Sequence, residues 1–317
     1  MRPPYQITAE ILKLITLISL KIGEVNAKYL IKANPTLRKQ NQIKTIHSSL
    51  SIEGNTLTEE QITAIINNKR VVGPQKDIQE VVNALEVYRQ LQRFKYDNEK
   101  DFLKAHKLLL QHLIPKPGSY RKQGVGIVKG SKVKHLAPPH QNVPHLMKEL
   151  FAYLKNKSEL ALIKSCVFHY EVEFIHPFMD GNGRMGRLWH TLILMHEYPV
   201  FEFLPFETLI SQNQTEYYKA LSQSDKAGMS TKFIEYMLKA IDQSLDELLK
   251  NSTKKLTDES RIQLFLDQNN YEFSRKDYLS FFRDISTSTA SRDLRSAVAK
   301  GLIRKYGDKK TSTYRKR

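Results

Sequence analysis

Residues 176–187 read HPFMDGNGRMGR. The stretch packs one histidine, one acid, three glycines, an asparagine and two arginines into twelve positions, a set that a packing element has no use for. Gly181 and Gly183, on either side of Asn182, permit positive φ values that let successive backbone N–H groups converge. Such a nest binds anions. If the next helix begins at Arg184, its N–H groups and dipole add to the same site. Arg184 and Arg187 would then share one helix face, and both can fork onto phosphate oxygens. Asp180, beside a phosphate cradle, suits Mg²⁺, which takes a few carboxylates together with substrate phosphates. His176, with an ordinary pKa of ~6.5, can accept a proton from a hydroxyl at neutral pH. Phe178 is expected to point inward and fix the loop. A base, a metal ligand, an anion cradle and two cationic clamps together describe transfer of a phosphorus group from a nucleotide to a hydroxyl. The bland alternative is a Gly-Asn turn that happens to be basic.

Helices flank this loop. Ile11, Leu14, Ile15, Ile18 and Ile22 recur at three- and four-residue steps and mark one apolar helix face. A second helix is expected after Asn34-Pro35-Thr36, running to Ile52 and stopped by Gly54-Asn55. Thr58-Glu59-Glu60-Gln61 is a capping box for a third. Ile78, Val81, Val82, Leu85 and Tyr88 mark another after Gly73-Pro74, and Phe102–His112 one more. Pro115–Pro144 then holds five prolines and four glycines. Within it VGIVKGSKVKHL alternates about Gly130-Ser131, which predicts a short β-hairpin on a helical body. Helices are expected from about Pro144 to Lys155, Ser158 to Phe174 and Leu188 to Glu197, then from Tyr217 and over Thr231–Leu249. The polar run Asn251–Lys255 is the expected boundary. The expected domains are a helical region over 1–95, a core over 96–250 and a C-terminal domain over 256–317.

That last piece is basic, with 16 Lys and Arg against 8 Asp and Glu from Ser252 to Arg317. Arg261–Asp267 and Arg275–Phe282 read as short helices. Ala290, Leu294, Val298 and Leu302 give a further helix its apolar stripe, with Gly301 as its cap. Thr287, Ser288, Ser291, Arg292 and Arg295 would then face outward. Ile303–Tyr306, Gly307-Asp308 and Thr311–Tyr314 read as a basic hairpin. Helix then hairpin resembles a winged helix-turn-helix, in which Thr287, Ser291, Arg292 and Arg295 would contact DNA. Winged helices also serve as protein–protein modules, and that alternative stays open.

The whole chain has 317 residues and a net charge of +17, which favours an anionic partner: nucleotide, nucleic acid or an acidic protein surface. One cysteine, Cys166, excludes an internal disulfide framework and fits a reducing compartment. The N-terminal residues lack a signal pattern, and ILKLITLISLKIG is broken by Lys13 and Lys21, so no membrane span is expected there. The expectation is a cytoplasmic protein.

HPFMDGNGRMGR resembles the defining motif of the Fic family, H-x-F-x-D/E-G-N-G-R-x-x-R, at every fixed position: His176, Phe178, Asp180, Gly181, Asn182, Gly183, Arg184 and Arg187. The resemblance implies an all-α Fic core with one small β-hairpin, the flap, and AMP transfer from ATP to a Ser, Thr or Tyr hydroxyl of a protein. It implies His176 as general base and Asp180 as ligand of Mg²⁺, with Mn²⁺ able to serve in its place. It implies that the Gly181–Gly183 backbone and Asn182 hold the α- and β-phosphates, and that Arg184 and Arg187 hold the β- and γ-phosphates. Flap residues Gly126, Ile127, Val128 and Lys129 would align the target segment by strand addition. Tyr217 and Tyr218 would line the adenine pocket; a helix–core contact is the alternative. Bound in reverse, the nucleotide would make the same loop a kinase.

Ser49-Leu50-Ser51-Ile52-Glu53-Gly54 resembles the family's inhibitory motif, S/T-x-x-x-E-G/N, here with Ser49, Glu53 and Gly54. The resemblance sets Glu53 against Arg187, where its carboxylate would take the guanidinium that the γ-phosphate needs. Low basal activity follows. The same glutamate could instead position a water for AMP removal. The competing class is a DNA-binding regulator whose Fic core senses nucleotide, and a third is a dimer with one chain's tail in the other's site. His169, Cys166, His190 and His196 read as structural, and Pro117-Gly118-Ser119-Tyr120-Arg121 as a structural pre-flap turn.

Overall fold

The computed structural model describes residues 3–26, 35–129, 132–202, 204–253, 257–269, 271–282, 285–308 and 312–316; for 35–38, 126–129, 132–136, 251–253, 260, 264, 267 and 268 it describes the backbone alone. The chain divides into two compact units, Met1–Leu249 and Lys250–Arg317.

In the first unit Thr8 caps helix α1 (Ala9–Val25), its hydroxyl accepting from the Ile11 N–H. The stripe Ile11, Leu14, Ile18 and Ile22 is buried. Helix α2 (Pro35–Ile52) follows, and Gly54 beyond it takes φ 89°. The Thr58–Gln61 capping box opens α3 (Glu59–Ile66), and α4 (Gln75–Arg89) starts after Pro74. Asn98 caps α5 (Glu99–Leu109). Strands β1 (Gly126–Lys129) and β2 (Lys132–Leu136) form an antiparallel hairpin with an irregularity between Ile127 and Val128. Gly130-Ser131, its expected centre, lies outside the described residues. Helices α6 (Val143–Leu154), α7 (Ala161–Ile175), α8 (Asn182–Glu197), α9 (Glu207–Gln212), α10 (Gln214–Ala227) and α11 (Thr231–Thr253) complete the unit.

Helix α7 is buried along nearly its whole length, which marks the centre of the bundle. It packs on α8 so closely that a Cβ on Gly186 would stand 2.6 Å from His169 Cδ2. Phe102 meets Trp189 edge-on at 5.0 Å and Phe178 at 5.5 Å between centroids, so the motif loop is rooted in an aromatic core. The unit's two ends are tied together. The Gln6 N–H donates to Thr231 Oγ1 (3.0 Å), Thr8 Oγ1 to Glu235 (2.9 Å) and Lys21 to Asp242 (2.7 Å), so α1 is fastened to α11. Helix α2 is fastened to α9 by hydroxyl pairs, Ser48 to Thr208 at 3.1 Å and Ser51 with Ser211 at 2.9 Å.

Helix α11 extends beyond its expected end at Leu249. Helix α11 runs on to Thr253, since no glycine or proline interrupts it, and Lys254 and Lys255 lie outside the described residues. The second unit holds α12 (Asp258–Gln268), β3 (Phe273–Ser274), α13 (Arg275–Phe281), α14 (Thr287–Ala299), β4 (Ile303–Tyr306) and β5 (Thr313–Lys316). Its sheet is antiparallel in the order β3-β5-β4, and β3 is too short to announce itself by alternation. Ala290 and Leu294 are buried as expected, while Val298 and Leu302 are only half-buried. The buried Asp293 accepts from Arg261 Nε (2.6 Å), Arg261 Nη2 (2.9 Å) and the Tyr278 hydroxyl (3.2 Å). No described helix is long and apolar enough to cross a membrane.

Candidate active site

His176 is the residue at which α7 stops. It takes φ 50° and ψ 60°, and its N–H still donates to Val172 O at 3.0 Å. Left-handed backbone costs a non-glycine residue about 1–2 kcal/mol, so the surroundings must hold it. Arg121 does so. Its Nε donates to His176 O (2.8 Å), its Nη2 to Ile175 O (3.3 Å) and its backbone N–H to Pro177 O (2.9 Å).

The loop beyond is closed on itself. Asn182 Oδ1 accepts from the Phe178 N–H (2.8 Å), and Asn182 Nδ2 donates to Phe178 O (2.9 Å). Phe178 is fully buried, as expected, and its ring stacks on His106 at 3.6 Å and 8°. His106 Nδ1 accepts from the Gly118 N–H (2.7 Å), so Nε2 carries the proton and donates to Asp180 O (3.0 Å). Burial, followed by the nearby Arg184 charge, holds this imidazole down at about 4, despite the carbonyl it serves. The imidazole is therefore neutral at pH 7.

Gly181 takes φ 86°, and a Cβ there would lie 2.7 Å from Leu110 Cδ2. Helix α8 consequently starts at Asn182, two residues before Arg184 and six before the expected start at Leu188. Gly181 supplies the left-handed turn, while Gly183 sits in the first helical turn with its N–H among those lacking an intrahelical acceptor. A Cβ on Gly183 would stand 2.6 Å from Glu53 Oε1, 3.1 Å from Arg187 Nη1 and 3.2 Å from Glu173 Oε1. A carboxylate of the chain itself thus lies against the N-terminus of α8, where the helix dipole favours negative charge.

The two arginines have different company. Arg184 Nη1 donates to Glu80 Oε1 (2.8 Å) and Nη2 to Asp180 Oδ1 (2.9 Å). Glu80 Oε2 in turn accepts from Asn55 Nδ2 (2.9 Å), two residues past Glu53. Arg187 is 1 % exposed. Its Nε donates to Ser49 Oγ (3.0 Å), and its Nη2 to Ser49 O (3.0 Å) and Glu53 Oε1 (2.7 Å). Burial opposes its charge, but Glu53 first, then Tyr217 and Glu173, hold its pKa raised.

The Tyr217 hydroxyl donates to Glu173 Oε1 (3.2 Å) and accepts from His169 Nε2 (3.1 Å). Tyr217 and His169 are buried in the bundle, whereas Tyr218 is 47 % exposed. Cys166 and His190 are also buried, and His190 is lowered to about 3 by burial. Among the described residues, no three His, Cys, Asp or Glu side chains gather as a metal site. Asp180 is half-exposed, with Oδ1 also accepting from the Gly181 N–H at 2.6 Å. Gly126, Ile127, Val128 and Lys129 form β1, whose only strand partner among the described residues is β2; their side chains lie outside the described residues.

In the second unit, Thr287, Ser291 and Arg295 line a groove of about 580 Å³ together with Arg275, Lys276 and Lys305. Arg292 is exposed on the same helix but does not line it.

Sequence reasoning passed over Glu80, Glu173 and His106, read Asn55 only as part of a helix stop, and treated Arg121 as a turn residue. A buried-side carboxylate or histidine on an amphipathic helix was the only available sign of them.

A Fic/DOC family model matches residues 96–194. The crystal structure of a Fic family protein from Desulfovibrio desulfuricans G20 is similar over 100% of this chain and 98% of its own, at 38% identity and TM-score 0.78. Fic-1 (aa134–508) from C. elegans shares the fold at TM-score 0.63 and 22% identity, over 77% of this chain and 74% of its own. The protein adenylyltransferase Fic of Nematostella vectensis is 28% identical over 230 residues, 68% of this chain and 50% of that protein. The chain spans about half the length of the curated relatives it matches.

Proposed function

The chain belongs to the Fic family, and from that premise we propose that it is a self-inhibited protein adenylyltransferase, moving AMP from ATP to a Ser, Thr or Tyr hydroxyl of a protein, its own chain included. The observation that carries the reading is the Glu53–Arg187 contact of 2.7 Å against Gly183, because it sets an anion of the chain in a cradle suited to phosphate. His176 takes the proton of the attacking hydroxyl. The hydroxyl oxygen forms a bond to the α-phosphorus as the bond to the bridging oxygen of the β-phosphate breaks, and pyrophosphate leaves. The N–H groups at the start of α8 bind the α- and β-phosphates, and Arg184 and Arg187 clamp the β- and γ-phosphates. Asn182 serves through its grip on Phe178, which shapes the cradle. Tyr217 and Tyr218 border the adenine end. Strand addition to β1 at Gly126–Lys129 aligns the target.

Asp180 fits Mg²⁺, or Mn²⁺, as a half-exposed carboxylate beside the cradle, the remaining ligands coming from phosphate and water. When bound, the ion would neutralise phosphate charge. Glu53, set just before the Gly54 turn and against the same guanidinium that Ser49 holds, is the brake: Arg187 cannot grip the γ-phosphate while it grips Glu53. Removal of AMP with Glu53 orienting a water is the alternative use of the same carboxylate. The working location is the cytoplasm, and the assembly state that would matter is a homodimer.

The test is intact mass after incubation with Mg-ATP, for the parent, Glu53→Gly and Glu53→Gly/His176→Ala. Gain of one AMP in Glu53→Gly alone is expected. Gain of one phosphate would reverse the nucleotide and make the protein a kinase.

A second reading is favoured by the basic groove of Arg275, Lys276, Arg295 and Lys305. It makes residues 256–317 a winged helix that holds DNA through Thr287, Ser291, Arg292 and Arg295, with the first unit sensing nucleotide. Salt-dependent duplex binding lost in Arg292→Ala/Arg295→Ala, with no covalent modification in any variant, would favour it.

A further inference from the structure

Arg121 is 3 % exposed, and its guanidinium spends its donors on four main-chain carbonyls from three separate stretches of chain. Nη1 donates to Gln123 O (2.9 Å), three residues before β1. Nη2 donates to Pro138 O, two residues after β2. Nε donates to His176 O (2.8 Å), and Nη2 also to Ile175 O (3.3 Å). Gln123 and Pro138 are the two stems of the hairpin. Ile175 and His176 are the end of α7 and the start of the motif loop. A planar fork of five N–H donors can meet such a set, whereas an ammonium radiates three donors from one point.

We propose that Arg121 is a positioning residue that sets the β1–β2 hairpin and the main chain of His176 from one cation. This rests on the adenylyltransferase reading, in which the hairpin aligns the target segment and His176 takes its proton. The consequence is a shared datum. A shift of the hairpin stems relative to the guanidinium is transmitted to the residue whose left-handed backbone aims the base. Arg121 itself touches neither nucleotide nor target. The bland account is a buried arginine that merely satisfies carbonyls and supports the fold, and the two accounts separate in what moves together.

The experiment compares full-length Glu53→Gly, Glu53→Gly/Arg121→Met and Glu53→Gly/Arg121→Lys. Amide hydrogen exchange is read in peptides covering β1 and β2 and in peptides covering 175–180, beside Mg-ATP affinity and the rate of AMP gain. In the Met variant both peptide sets should lose protection together, and AMP gain should fall on the order of a hundredfold, as expected for a misplaced reacting group. Mg-ATP affinity should stay within about twofold, since Arg121 makes no contact with the cradle. Lys should restore part of the rate and part of both protections. Loss of protection in only one of the two segments would overturn the proposal, as would an unchanged rate. Equal loss over the whole first unit would assign Arg121 to general stability instead. If the Met variant does not fold, the Lys variant carries the same comparison. If Glu53→Gly gains no AMP at all, the enzymatic reading fails, while the exchange data still decide whether the two segments are coupled.

Discussion

Replacing Glu53 with glycine tests the proposed brake most directly. In the resting arrangement Arg187 has three acceptors, Ser49 Oγ and Ser49 O at 3.0 Å each and Glu53 Oε1 at 2.7 Å. Only the last is charged and competes with a phosphate oxygen. A charge-assisted hydrogen bond contributes about 1.5–3 kcal/mol. Glu53 keeps 28% of its side chain exposed, so solvent screens the pair and the lower half of that range applies. An opposing term of about 1.5–2 kcal/mol removed from productive ATP binding corresponds to roughly a 10- to 30-fold gain in the reacting population. Backbone strain does not offset the gain, because residue 53 follows the end of α2 at Ile52 and precedes the Gly54 turn. The assay is the time course of AMP gain by intact mass at ATP below saturation. Glu53→Gln, which keeps the acceptor and loses the charge, should fall between. Ser49→Ala should gain less than Glu53→Gly, because the Ser49 carbonyl remains. A rise in Glu53→Gly below about threefold, under ~0.7 kcal/mol, would refute the competition for Arg187.

Three further outcomes follow from the geometry. Gly181→Ala should cost about 2 kcal/mol, from the left-handed backbone and the displaced Leu110 side chain, and thermal unfolding measures it. His106 should make stability fall with acid: its folded-state pKa of about 4 lies below the ordinary value of 6.5, so the unfolded state binds more protons between those two pH values. The contribution is complete above pH 6.5 and is lost toward pH 4, by about 3 kcal/mol, and His106→Asn should flatten that part of the denaturation profile relative to the parent. Asp293→Ala leaves Arg261 buried without its carboxylate and should destabilise the second unit by about 3–5 kcal/mol, read as early loss of exchange protection in α12 and α14.

What could be read beforehand was whatever lies local in sequence. The isoleucine stripe of α1, the Thr58 capping box and the alternation around β1 and β2 each place their causes within a few residues. The motif loop was legible for the same reason, since its base, acid and arginines are adjacent. The start of α8 falls ahead of Arg184 because Asn182 closes back on Phe178, and that ring makes Gly181 the cap. Glu80, His106 and Arg121 act on the loop from 55 to 104 residues away. Nothing near them in the sequence states whom they meet. Asp293 likewise sits among charged neighbours, and only its pairing with Arg261, 32 residues earlier, makes it internal.

The bond between α1 and α11 has a meaning for the chain while it is being made. Pro4, Gln6, Thr8 and Lys21 find their partners at Ser230, Thr231, Glu235 and Asp242, so the first helix waits for more than two hundred residues to be added. At ribosomal speeds of about 5–20 residues per second that wait is on the order of ten to fifty seconds. The loop at His176 emerges within it, but Tyr217 and Phe233, which pack on His169 beneath that loop, do not yet exist outside the ribosome. Helix α9, on which α2 rests, also arrives after the loop. The loop's foundation and the seat of α2, the helix that leads into Glu53, are therefore completed in the same late interval, so a nascent chain has little time with one and not the other.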